Sequence, residues 1–166
     1  GAYFANYSIK DLKEAITILS ASPTYQDSLY FQKSLEVLRV FPKGSPSIAI
    51  PTWFYGHEPT NVFAAEIAKY FSNSIREDNL LAFALYGIVF APGSAGTTQE
   101  IFQEAAQNHY GTFGYYSPMI FFSKKRYVED TSLYSVLHQL ALGKKYKELL
   151  FVTDEEKSIV DFIKNK

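Results

Sequence analysis

The chain of 166 residues is long enough for one domain with a sizeable core, and 47% hydrophobic against 20% charged residues excludes a disordered segment. A net charge of −1 leaves no basic footprint for nucleic acid, and the absence of Cys excludes disulfides and thiolate chemistry and fits a cytoplasmic protein. No apolar stretch reaches the roughly 18 residues that a membrane span needs.

Gly1-Ala2-Tyr3-Phe4-Ala5 begins with apolar residues and no capping signal, and reads like the tail of a helix whose start lies elsewhere. The chain is therefore expected to be the C-terminal portion of a longer protein. Ser8 with Asp11 is a capping-box variant that predicts a helix through Leu19. Thr24 with Asp27 predicts a second helix running to about Val40. Ser47 to Phe54 reads as a strand interrupted at Pro51, and the loop that follows contains His57. Helices are predicted over Asn61 to Phe71 and over Ile75 to Leu85, then a buried strand over Tyr86 to Ala91. A further helix starts at Thr97 and gives way to a Gly- and Tyr-rich loop from His109 to Ser117. Met119 to Phe122 is a short strand, Tyr127 to Leu142 a helix stopped by Gly143, and Leu149 to Val152 a last strand. Thr153 with Glu156 caps a final helix. Strands alternating with helices predict an α/β fold, a single Rossmann-like three-layer domain over residues 1–166 with a parallel sheet, whose ligands sit at the carboxyl ends of the strands. The aromatic surplus, 13 Tyr and 14 Phe, points to core or to a subunit interface.

The most informative stretch is Val89 to Glu100. An apolar strand breaks at Pro92, passes through Gly93-Ser94-Ala95-Gly96, and restarts as a helix with Ile101, Phe102, Ala105 and Ala106 in period. Strand, glycine loop and helix together aim backbone N–H groups and a helix N-terminus at a phosphate. Glu100 lies one turn into that helix, close to where such a ligand would sit.

Pro92-Gly93-Ser94-Ala95-Gly96-Thr97-Thr98-Gln99-Glu100 resembles the PGGxGTxxE motif of the Lonely Guy family, which is often labelled lysine decarboxylase-like and includes nucleoside 5′-monophosphate phosphoribohydrolases. Phe71 to Asp78 resembles the family's helix with an Arg-Lys pair, Arg76 standing at the Arg and Glu77 at the Lys. His57-Glu58-Pro59-Thr60-Asn61 resembles its E-x-x-N loop. The resemblance covers about Ser47 to Phe122. Ser94 departs from the second Gly of the motif, and the family's other glycine-rich segment is absent. Gly1-Ala2 resembles the end of the helix after that segment, so the first strands of the sheet are expected to be missing by N-terminal truncation.

The resemblance implies hydrolysis of an N-glycosidic bond, a homodimer, and no metal or other cofactor. Backbone N–H groups of Gly93, Ser94, Ala95, Gly96 and Thr97, with the Thr97 hydroxyl, would hold the 5′-phosphate. Glu100 would bond the ribose hydroxyls and stabilise an oxocarbenium-like transition state, or orient water. Arg76 would contact phosphate or assist the departing base. Asn61 and Thr98 are further candidates for ligand contact. Each residue also has a plainer reading. Glu100 could only complement the helix dipole, Arg76 could pair with Glu77 and Asp78 on a solvated face, and the Tyr110 to Tyr116 loop could serve an interface as well as stack on a base. A nucleotide-binding module without turnover and a structural domain are the competing functions.

Overall fold

The computed structural model describes residues 2–53 and 61–166, which separate into two units, Gly1–Arg76 and Glu77–Lys166. Both are mixed α/β with parallel strand pairing.

In the first unit the predicted capping box is formed. The Ser8 hydroxyl accepts from Asp11 N at 3.2 Å while Asp11 Oδ2 accepts from Ser8 N at 3.0 Å, and α1 (Ile9–Leu19) follows. It packs on α2 (Tyr30–Val40). The core here is small and partly aromatic, with Phe4, Ala15, Val37 and Phe41 buried and Phe4 edge-on to Phe41 at 5.4 Å between ring centres. α2 starts later than its predicted cap. Thr24 N does donate to Asp27 Oδ2 at 2.8 Å, but that bond closes a turn. Helical bonding waits for Tyr30, because a side chain that bonds local backbone offers the chain an alternative to helix.

The predicted helix over Asn61 to Phe71 is not formed. Asn61 closes a turn, its Oδ1 accepting from Phe63 N at 3.1 Å, and β2 (Glu66–Ile67) then pairs parallel with β1 (Ile48–Ala49). Backbone N–H groups of Ala65, Ala68 and Tyr70 find the carbonyls of Ser47, Ala49 and Pro51. That partner lies about 18 residues upstream, where helical periodicity of the segment does not register it. The strand predicted over Ser47 to Phe54 contracts to β1 and a bridge between Thr52 and Tyr70. Its predicted end at Phe54 and the loop with His57 lie outside the described residues. α3 (Asn73–Phe83) runs across the division between the units.

In the second unit β3 (Ile88–Phe90), β4 (Met119–Phe122) and β5 (Leu150–Thr153) form a parallel sheet in that order. Met119, Ile120 and Phe121 of β4 are completely buried, as expected for a central strand covered on both faces. α4 (Ala95–Tyr110) connects β3 to β4 and ends on Gly111 at φ 62°, a left-handed cap that glycine adopts without Cβ strain. His109 and Tyr110 are thus helical rather than part of the predicted loop. After β4 the chain turns through Ser123 into six π-helical residues, Lys125–Asp130, and breaks again at Ser132 before α5 (Leu133–Leu140). The single helix predicted from Tyr127 to Leu142 is therefore two segments, the first closed by the Thr131 hydroxyl donating to Arg126 O at 2.7 Å. α6 (Glu156–Lys164) follows β5 with Glu155 as its N-cap. The predicted Thr153–Glu156 box does not form, because Thr153 Oγ1 accepts from Glu155 N at 3.1 Å. Among the described residues, no helix is long and apolar enough to cross a membrane.

Candidate functional site

Phe90, at the end of β3, is buried, and the chain leaves the sheet at Ala91-Pro92. α4 begins at Ala95, two residues before the predicted restart at Thr97. Ala95, Gly96 and Thr97 therefore occupy its first turn, whose N–H groups have no carbonyl four residues back within the helix. Ser94 is the N-cap and makes no capping bond with its side chain. A Cβ on Gly93 would overlap the Thr97 hydroxyl, so glycine is required there by close approach. Thr98 turns out to serve the helix itself. Its N–H and its hydroxyl both donate to Ser94 O, at 3.1 and 3.2 Å.

Two side chains that the sequence reading passed over hold this loop. Arg126 Nη2 donates to Gly93 O at 2.6 Å, and the Tyr127 hydroxyl donates to Ala91 O at 2.5 Å. Burial pushes the Tyr127 phenol above its ordinary pKa; the Arg126 charge pulls it down and the Glu100 charge pushes it up. Tyr127 thus remains a proton donor at neutral pH, and Glu100 lies within electrostatic reach of it.

Within the second unit a cleft of about 460 Å³ opens beside the loop. Leu80 and Leu81 of α3 and Ala84 just after it form one wall, Ile88 to Pro92 another, and Thr97 and Glu100 bring polar groups from α4. Thr97 and Glu100 are three residues apart and so share a helix face. Glu77 also lines the cleft. The plainer reading places it on a solvated face, but it is only 1% exposed and its Oε2 accepts from Gln99 Nε2 at 2.7 Å. Asp78 is exposed and accepts from the Gln103 amide. Arg76, one residue before Glu77 on α3, belongs to the first unit, as does Asn61, whose Oδ1 is used in its own turn.

One turn beyond Glu100 stands a second carboxylate. Glu104 is 2% exposed, and its Oε1 accepts from Asn108 Nδ2 at 3.1 Å and from the Ser117 hydroxyl. Asn108 also donates to Ser117 O at 3.0 Å and accepts from Ser117 N at 2.9 Å, which ties the start of β4 back to α4. Burial pushes the Glu104 carboxyl above the usual range, while the bonds from Ser117 and Asn108 oppose that shift. In the aromatic loop Phe113 stacks on Tyr115 at 5.9 Å, and the Tyr115 hydroxyl donates to Ala82 O at 2.6 Å. Tyr110 to Tyr116 do not line the cleft. His109, near the far end of α4, packs its ring on Tyr146 at 6.0 Å. Among the described residues no cluster of His, Asp and Glu is arranged to hold a metal ion.

An apolar wall, two carboxylates, and the positive end of a 16-residue helix on a glycine turn suit a ligand with a planar body, hydroxyl groups and an anionic end. No protein-family model matches this sequence, and no curated protein matches it.

Proposed function

We propose that the fold is Rossmann-like and that the cleft binds a nucleoside 5′-monophosphate and hydrolyses its N-glycosidic bond. One observation carries this reading. The Gly93 turn, the uncapped start of α4 and Glu100 share one loop–helix junction, with Thr97 and Glu100 both lining the cleft. The phosphate would lie on the N–H groups of Ser94 to Thr97, which places the ribose toward Glu100 and the base along the apolar wall. Water attacks C1′ as the C1′–N bond breaks. The electron pair leaves with the base, which gains a proton, and the products are free base and ribose 5-phosphate. Glu100 stabilises the positive charge that develops on the ribose or orients the water. A homodimer belongs to the same proposal.

The test is release of free base from a panel of nucleoside 5′-monophosphates. Hydrolysis that falls by about a hundredfold or more in Glu100→Gln, with phosphate binding retained, is the expected result. Rates unchanged in that variant would remove Glu100 from the chemistry. For Arg76 the role rests on the resemblance of its helix, in which it would bind phosphate or donate to the departing base. Arg76→Ala should then weaken binding or slow turnover by about tenfold or more, and an unaffected variant would return Arg76 to a solvated face.

A second reading, nucleotide binding without turnover, is favoured by Glu77. A buried carboxylate bonded to Gln99 stands where the resembled family has a cation. Nucleotide binding by calorimetry with no base released would select it.

A further inference from the structure

We infer that Arg126 is a positioning residue of the phosphate subsite, one that presets the Gly93–Ser94 peptide so that the Ser94 N–H is presented to an anion. The inference rests on the reading of the loop given above and names the group that makes it work. Arg126 stands 33 residues beyond Gly93, and its Nη2 donates to the Gly93 carbonyl at 2.6 Å. There are no cis peptide bonds among the described residues. In a trans peptide the C=O and N–H point to opposite sides. Drawing the Gly93 carbonyl to the guanidinium therefore turns the Ser94 N–H away from Arg126. A charged donor on the carbonyl also polarises the peptide, making that N–H a stronger donor.

The support behind Arg126 is built in several parts. Ser123 sits at φ 122°, a conformation that L-residues seldom adopt, and its hydroxyl accepts from Arg126 N at 3.1 Å. The Ser123 N–H donates to Thr153 O at 3.0 Å, which anchors the turn to β5. Thr131 takes the Arg126 carbonyl, and Tyr127, next in sequence, fixes the Ala91 carbonyl. Among the described residues Arg126 has no carboxylate within ion-pair distance. Its charge is directed to a main-chain carbonyl and adds to the positive end of α4. A site preset this way takes a phosphate monoester and discriminates against the same molecule without its phosphate.

The experiment is calorimetric binding of ribose 5-phosphate to the full chain, with the Ser94 amide resonance followed by NMR. Wild type should bind and shift Ser94. Arg126→Met, which removes both bond and charge, should bind about tenfold more weakly with a reduced Ser94 shift. Arg126→Gln, which can keep a donor but not the charge, should fall between, at about threefold. Because Gln retains the polar contact, it carries the test where Met lowers the melting temperature. Equal affinity and an equal Ser94 shift in all three proteins would overturn the positioning role while leaving the phosphate loop standing. A wild-type chain that ignores ribose 5-phosphate would overturn the loop reading and, with it, this inference.

Discussion

Glu100 and Glu104 stand four residues apart on α4, share a residue type, and meet opposite surroundings. Glu100 faces the cleft beside the glycine turn and lies within electrostatic reach of Tyr127. Glu104 is shut in by Asn108 and by Ser117, where the chain returns to begin β4. The difference comes from what faces the helix at each turn. At its start α4 bonds α3 through Gln99 and Glu77 and turns Thr97 and Glu100 toward the cleft. One turn later the returning chain closes over it, and a carboxylate there serves as an acceptor for the fold. Residue type sets what a carboxylate can do, and the partner across from it decides which of those things it does.

The largest expected effects separate the two residues directly. Glu100→Gln should lower base release by about a hundredfold or more while phosphate binding is retained. Glu104→Gln should leave turnover within a few fold and change the pH dependence of stability instead. A Glu104→Gln variant that loses hydrolysis while Glu100→Gln retains it would reverse the assignment and move the chemistry one turn along the helix.

What could be read from the sequence follows the range of the interactions. The α1 capping box, β4, and the junction of β3 with α4 are local, and their side chains or hydrophobic runs lie next to the backbone they order. β2 is not legible locally because the N–H groups in and around it (Ala65, Glu66, Ala68 and Tyr70) bond to Ser47, Ala49 and Pro51, while the apolar residues from Asn61 to Phe71 mimic a helical face. Glu77 reads as solvated because it sits between Arg76 and Asp78, yet it is buried, and one of its partners is Gln99, 22 residues away. Arg126 and Tyr127 gave no local sign at all. Their partners are carbonyls, which every residue has, so no spacing of side-chain types marks the pair in advance. Ser123 at positive φ is equally silent, since a Ser does not mark the left-handed region as Gly does.

A smaller effect tests the open end of the comparison. Gly93→Ala places a Cβ on the Thr97 hydroxyl, so either the loop or the first turn of α4 must shift. Overpacking of this kind costs about 1–3 kcal/mol. The variant should lose a corresponding part of its stability to urea and bind ribose 5-phosphate at least several-fold more weakly. Gly93→Ala with unchanged stability and affinity would show that the loop yields freely, and the open end would then lack the fixed geometry that distinguishes it from an ordinary turn.

The smallest effect concerns the closed end and has a definite sign. Burial raises the Glu104 pKa in the folded protein above that of an unfolded glutamate, about 4.3. The folded state therefore binds the proton more tightly than the unfolded state. The stability linked to it is fully present below the unfolded pKa and is lost as pH rises through the folded one. The slope is bounded by one proton, about 1.4 kcal/mol per pH unit. Urea midpoints taken from about pH 4 upward should fall across that window in wild type and fall less in Glu104→Gln, whose amide cannot ionise. Parallel curves for the two proteins would mean that Ser117 and Asn108 compensate the buried charge fully. Glu104 would then be held as an anion, and access to the cleft would still separate the two carboxylates of α4.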